Sequence, residues 1–452
     1  MQMLSINPAT EEVMAKFDYL TEKEAAKETK KSRKAFEGWG SLDVKERCAY
    51  LKKAGAILRK NSRKYGEIIS KEMGKPIKQS VPEVEKCAWA CEYYAENAEE
   101  FLRDQPVKTE GRAYVMFQPL GTILGIMPWN FPFWQVFRFA SSTLAAGNTV
   151  VVKHSSNVPQ CAIAIEEAFT EAGFPDHVYK NLAIPGDTVK SLVETDLVEG
   201  LSLTGSTEAG SRVGELAGRN LKKVVLELGG SDPYVVLDDA DLERCVSTAV
   251  TARFQNAGQS CIAAKRFIVH SKIADRFIEA FAEKAHGLAV GDPLDDNTVL
   301  GPLARGDLRD GLESQLKSAI KDGAKVVCGG KRPKGKGYFF EPTVIRADEN
   351  NKTVMGQEFF GPIASVIVAP SDDQLTKIAN GSRYGLASSV WGGAARAEKV
   401  ARKLEAGMVA VNDMAKSDPR LPFGGVKKSG VGRELGRFGI LEFTNVKSVS
   451  IR

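Results

Sequence analysis

The sequence predicts an α/β protein built from two doubly wound units, each a parallel sheet covered by helices. Three observations carry this. From about residue 121, short apolar strand-like runs alternate with helix-length segments, the pattern left by βαβ crossovers. The pattern restarts after the pair Gly229-Gly230. At 452 residues the chain is too long for one ordinary core, so two or three domains are expected.

The elements follow in order. Thr21-Glu22-Lys23-Glu24 has the form of a capping box and opens a helix expected to end near Gly38. A second amphipathic helix is expected through about 43 to 73, stopped by Gly74 and Pro76, and a third over about 82 to 103. RAYVMFQ (112 to 118) alternates as a strand, and GTILGIM (121 to 127) is a buried-strand run. TVVVK (149 to 153), a helix after Pro159, a strand near 179 to 184, LSLTG (201 to 205), a helix from Ser206 and VVLEL (224 to 228) complete the first unit. The second comprises PYVVL (233 to 237), a helix of about 240 to 256, RFIVH (266 to 270), a helix of about 272 to 287, KVVCGG (325 to 330) and VAVN (409 to 412). The tail EFTNVKSVSIR has strand character and, apart from the stretch of about 110 to 122, few expected partners in its own chain, which suits an oligomer.

Composition narrows the function. A hydrophobic share of 43% with 26% charged residues is that of a soluble globular enzyme. The net charge of +5 is slight for this length and gives no case for nucleic acid or membrane binding; KRPKGKG (331 to 337) reads as a solvated loop. No basic segment followed by an apolar core opens the sequence, and no apolar run approaches a membrane span. Seven scattered cysteines suit free thiols in a reducing cytoplasm. Cys87 and Cys91 stand four apart without a completing pair, and the four histidines are dispersed, so neither a metal site nor a histidine-based triad is expected. Gly430-Val431-Gly432-Arg433-Glu434-Leu435 lacks the third glycine of a dinucleotide fingerprint and is read as a loop.

Three stretches carry chemistry. FQNAGQSCIAAKR (254 to 266) sets Cys261 among small residues, where a thiol can reach an electrophilic carbon. VVLELGGSDP (224 to 233) ends an apolar run on Glu227, and MPWNFPFWQ (127 to 135) holds Asn130 between a strand and a helix start. Singly, each has an ordinary reading: a buried small side chain, a strand-end charge and a turn residue. Together a thiol, a carboxylate and an amide are the nucleophile, base and oxyanion donor of a thioester-forming aldehyde oxidation.

In this order and flanking sequence, PWNFP, TGST, LELGG, GQSC and EFFGP make the chain resemble the aldehyde dehydrogenase superfamily from SINPATEEV (5 to 13) to the FGGVKKSG region and tail. WNFPFWQVFR, KHSSNVPQCA, ELGGSDP, GQSCIAAKRF and KSDPRLPFGG are similar as whole phrases to its short bacterial-type succinate-semialdehyde dehydrogenases. The resemblance implies a cofactor-binding domain (1–110 and 123–228), a catalytic domain (229–420) and a C-terminal loop with a bridging β arm (111–122 and 421–452) that supports a homodimer or homotetramer. It implies Cys261 as nucleophile, Glu227 as the base for thioester hydrolysis, and Asn130 with the Cys261 backbone N–H as oxyanion donors. Thr204-Gly205-Ser206, at a strand end and helix start, would take the pyrophosphate. Glu358 would meet the ribose beside the nicotinamide, with Phe360 flanking the ring and Trp129 and Leu228 completing the cofactor set. Lys153 would reach the adenosine ribose. Ser156 stands where many NAD-preferring members carry Glu, so NADP is expected to be preferred and NAD to be accepted.

Toward the substrate, Trp134 and Arg138 share a helix face near Asn130, and Ser417 matches a loop lining the substrate mouth. Arg138 is expected to bind a carboxylate, an ion pair between elements being its alternative, and Arg420 is a weaker candidate. These residues suit a short ω-carboxy aldehyde such as succinate semialdehyde. The alternatives are a short hydroxyaldehyde (lactaldehyde or glyceraldehyde), a CoA-acylating enzyme, disfavoured by Glu227, and a non-catalytic binding protein on this fold.

Overall fold

The structure is a computed structural model describing residues 2–452; Met1, the first residue of the expected cofactor domain, lies outside the described residues. Two parallel sheets dominate. The six-stranded sheet runs in the order Gly430–Val431, Lys223–Glu227, Gly200–Thr204, Thr122–Met127, Thr149–His154, Tyr179–Asn181. Its strands are parallel except for Gly430–Val431, which pairs antiparallel with Leu226 and Glu227. The stretch read from sequence as a loop therefore closes the sheet beside Glu227. Gly430 holds φ +145°, and a Cβ there would collide with the Leu226 carbonyl, so only glycine allows this approach.

The seven-stranded sheet runs Lys325–Cys328, Thr343–Ala347, Ile363–Ala369, Ala264–His270, Asp232–Val236, Ala387–Trp391, Met408–Val411, parallel throughout except at its first pair. Its central strands are buried on both faces, as a helix-covered parallel sheet requires. Each sheet has its own apolar core: one gathers Phe133, Phe137 and Phe139 with the N-terminal helices, the other Phe267, Phe277 and Phe281.

The N-terminal segment is helical, with differences from expectation. The capping box at Thr21 is present and opens Glu22–Trp39. The expected single helix of 43 to 73 is two, Val44–Lys60 and Ser62–Met73, broken at Asn61, which no glycine or proline announces. The next helix starts at Ile77, earlier than expected, and carries Pro82 inside its run to Phe101. The hairpin Gln2–Ile6 with Val13–Asp18 was not predicted.

The tail strand Thr444–Ile451 pairs antiparallel along its whole length with Arg112–Pro119, the other half of the expected two-part arm. Gln105–Lys108, grouped in sequence with the cofactor domain, adds a third strand to this ribbon. Among the described residues no helix is long and apolar enough to cross a membrane.

Candidate active site

Cys261 follows the helix Leu242–Phe254 through a tight turn. Asn256, Ala257 and Gly258 all take left-handed φ, at 54°, 52° and 73°. Two of these are not glycine, so the turn is held by its partners. The Asn256 side chain donates to the carbonyls of Asn130 (2.8 Å) and Gln259 (3.1 Å), and its backbone N–H donates to Gln79 Oε1 at 2.7 Å. Gln259 accepts from the Ala304 N–H at 2.9 Å, and Arg253 donates to the Phe359 carbonyl at 2.9 Å. The result is a thiol on a rigid loop before the strand Ala264–His270.

Cys261 opens into a cavity of about 380 Å³ whose wall also includes Trp134, Arg138, Ser417, Phe131, Phe423 and Lys86. The surrounding protein pushes the thiol up to about 12, an effect that the positive charges of Arg138 and Lys265 only partly oppose. The other cysteines are also free thiols.

Asn130 is buried, and its Nδ2 donates to the Gln259 carbonyl at 3.0 Å. One of its two N–H groups is thus pinned to the nucleophile loop, which leaves the second for another acceptor. Glu227 ends its strand and is buried, and neither carboxylate oxygen has a hydrogen-bond partner among the described residues. Burial raises its pKa well above the carboxylate range, with Arg138 opposing and Glu434 adding to the shift. Glu227 is not part of the Cys261 cavity wall. Its Oε1 lies against Gly424, 2.7 Å from where a Cβ on that glycine would stand.

Arg138 lines the Cys261 cavity and also makes the ion pair between elements that was the alternative expectation for it. Its guanidinium is buried, paired with Glu434 and donating to Thr204 Oγ1 at 3.1 Å, with its carbon 4.1 Å from the Phe423 ring centroid. Glu434 is fixed in turn by Ser202 and by its backbone pairing with Phe423. The charge meant for a substrate carboxylate is already matched: Arg138 clamps its helix, Trp134–Ala145, to the C-terminal loop. Arg420 is exposed and pairs with Asp418, so it pins its own loop.

A second face bears the residues named for a dinucleotide. Lys153 ends the strand Thr149–His154 with no side-chain partner among the described residues, and burial lowers its pKa. Ser156 is exposed in the following turn. Ser206 caps the helix Thr207–Arg219 by accepting from the Ala209 N–H at 3.2 Å, while the buried Thr207 hydroxyl at its first turn has no partner. Leu228 donates its N–H to the Ser429 carbonyl at 2.9 Å and packs where a Cβ on Gly210 would collide with it. Trp129 and Phe360 meet edge to face at 5.8 Å. A partnerless cation and a helix N-terminus with an unused hydroxyl suit an anionic dinucleotide.

Two lysines escaped the sequence reading. Lys265 is buried and donates to the carbonyls of Ser260 (2.8 Å) and Cys261 (2.6 Å), and it lies 3.0 Å from Glu358 Oε1. It ties the thiol loop to a cofactor-face carboxylate; its place four residues after Cys261 was the available signal. Lys86 lies in the cavity wall on the helix Ile77–Phe101. Among the described residues no group of three or more His, Cys, Asp or Glu side chains is placed to hold a metal.

Comparison with known proteins adds an independent finding. Residues 1–449 match the aldehyde dehydrogenase family. A Synechocystis protein described as a probable NADP(+) succinate-semialdehyde dehydrogenase is 44% identical over 453 residues, covering 100% of both chains. The Mycobacterium tuberculosis succinate-semialdehyde dehydrogenase [NADP(+)] 1 is 42% identical with 100% of both chains covered. Among solved structures, succinic semialdehyde dehydrogenase from Streptococcus pyogenes in complex with NADP+ superposes with a TM-score of 0.97 at 38% identity, covering 99% of each chain.

Proposed function

The chain belongs to the aldehyde dehydrogenase family, and we propose that it oxidises succinate semialdehyde to succinate, with NADP preferred and NAD accepted. The observation that carries this reading is Cys261 held on a braced turn at the wall of a cavity, with the Asn130 amide pinned to the same loop. The near-full-length relatives named for this reaction supply the substrate, and exposed Ser156 beside Lys153 supports the 2′-phosphate.

In this reading the Cys261 thiol gives up its proton to solvent water and its sulfur adds to the aldehyde carbon. The carbonyl oxygen becomes an oxyanion facing the free Asn130 N–H and the Cys261 backbone N–H. The bound dinucleotide supplies the hydride acceptor. Loss of that hydride leaves a thioester on Cys261. Glu227 then takes a proton from a water whose oxygen attacks the thioester carbon, the sulfur departs as thiolate, and the carboxylate is released. The unpaired, buried Glu227 carboxylate has a proton affinity raised above that of an ordinary carboxylate, the direction a general base needs.

The unit around the six-stranded sheet holds the cofactor and that around the seven-stranded sheet carries Cys261. The ribbon of Thr444–Ile451 serves a homodimer or homotetramer, and a reducing cytoplasm keeps Cys261 a thiol. Initial rates on succinate semialdehyde, propanal and lactaldehyde, each with NADP and with NAD, test the reading. A kcat/KM favouring succinate semialdehyde with NADP is the expected outcome. Equal or better turnover of the uncharged aldehydes would remove the substrate assignment and leave the thiol chemistry standing.

A further inference from the structure

The cavity contains a cation whose counter-ion the protein does not provide. Lys86 Nζ donates to Ser417 Oγ at 2.6 Å and lies 4.4 Å from the centroid of the Trp134 ring. An ammonium carries three N–H donors, and this is the one hydrogen bond Lys86 makes among the described residues. Each neighbouring carboxylate is committed elsewhere. Glu83 pairs with the buried Lys75 and accepts the N–H groups of Phe133 and Trp134 at 2.9 and 3.0 Å. Asp418 is held by Arg420 at 2.6 Å, and Glu434 by Arg138.

We propose that Lys86, presented by Ser417 and Trp134, is the receptor for the carboxylate of the substrate and sets the preference for an ω-carboxy aldehyde over an uncharged one. The inference rests on the succinate semialdehyde reading and assigns its specificity to Lys86 in place of Arg138. The geometry has three supports. Lys86 and Cys261 share one cavity, so a short chain anchored at one end presents its aldehyde toward the other. The Ser417 hydroxyl, while accepting from Lys86, keeps its own O–H to donate to the same anion. A half-desolvated cation with an aromatic face beneath it binds a carboxylate more strongly than a solvated one. Burial and the nearby Arg138 charge already draw the Lys86 pKa down to about 8, as they would for an ammonium awaiting an anion.

The test compares kcat/KM for succinate semialdehyde with that for butanal, which has the same carbon chain without the carboxylate. It uses the intact protein, Lys86→Met and Lys86→Arg. In Lys86→Met the ratio is expected to fall by about 10- to 100-fold, the loss of one charge-assisted contact, mainly through a higher KM for succinate semialdehyde. Lys86→Arg is expected to recover part of the ratio. Far-ultraviolet circular dichroism shows that each variant is folded. As a binding readout independent of catalysis, succinate should raise the melting temperature of the intact protein and not that of Lys86→Met. An intact protein with no preference for succinate semialdehyde would remove the underlying functional reading. A preference that survives in Lys86→Met would overturn the role of Lys86 alone.

Discussion

At the scale of single residues, the reactive thiol is the first quantity to check. Burial pushes the Cys261 thiol up to about 12, so the cofactor-free protein is expected to hold little thiolate at neutral pH. Below the pKa the thiolate fraction rises about tenfold per pH unit. Alkylation of Cys261 by iodoacetamide, followed on its own peptide by mass spectrometry, should therefore keep climbing from about pH 7 to pH 10 without levelling, whereas an ordinary cysteine levels above about 8.5. A plateau below pH 9 would mean that the charges of Arg138 and Lys265 outweigh burial. Glu227→Gln removes the base while keeping the side-chain shape. It should lower steady-state turnover by about 10²- to 10⁴-fold and leave a single burst of reduced cofactor, because the thioester forms but is not hydrolysed. Loss of the burst as well would move Glu227 to the earlier step. Cys261, Glu227 and Asn130 could be singled out as candidates because each stands in a stretch of unusual neighbours. Lys86 was not: in VEKCAWACEYY it looks like any lysine on an amphipathic helix, and only the packing of Trp134 and Ser417 against it shows that it faces a cavity. Arg138 misled for the converse reason, since its partner Glu434 lies 296 residues away.

At the scale of elements, the periodic segments were readable. The parallel strands from Thr122–Met127 to Ala264–His270 lie close to their expected places because burial on both faces leaves uninterrupted apolar runs. What escaped was set by tertiary contact. The break at Asn61 has no local signal. Interior strands such as Thr343–Ala347 and Ala387–Trp391 lie between segments too short or mixed to be assigned from pattern alone. The helix Trp134–Ala145 shows how a distant residue can define an element. It has no side-chain N-cap of its own; Glu83, from another helix, accepts the N–H groups of Phe133 and Trp134 while pairing with buried Lys75. Glu83→Ala should therefore do more than uncap a helix, because it leaves a buried ammonium unmatched, at a cost of about 3–5 kcal/mol. Chemical denaturation should show the loss, and Lys75→Met in the same chain should restore part of it. A Glu83→Ala protein of unchanged stability would show that the pair contributes no net stability.

At the scale of the whole molecule, the ribbon formed by Gln105–Lys108, Arg112–Pro119 and Thr444–Ile451 presents an open edge. It belongs to neither parallel sheet. Thr444–Ile451 is exposed along most of its length, with Val446 at 58% and Ile451 at 45%, and its outer edge is unpaired. Phe438, in the short helix just before it, is 64% exposed. A long strand with open edge hydrogen bonds and exposed apolar side chains invites pairing, and natural proteins cover such edges. A second copy of the chain is the simplest cover, since a two-fold arrangement buries the same patch on both subunits. Light scattering coupled to size exclusion should accordingly find two or four subunits in the intact protein. Removing residues 445–452 strips the paired strand from Arg112–Pro119 but leaves both parallel sheets and the residues around Cys261 in place. The truncated chain should run as a monomer, or aggregate through the newly bared strand, while its circular dichroism in the far ultraviolet stays close to that of the intact protein. An intact chain that runs as a monomer would show that the ribbon is not an assembly surface. A truncated chain that keeps the intact subunit number would place the contact elsewhere, with exposed Phe438 the next residue to change.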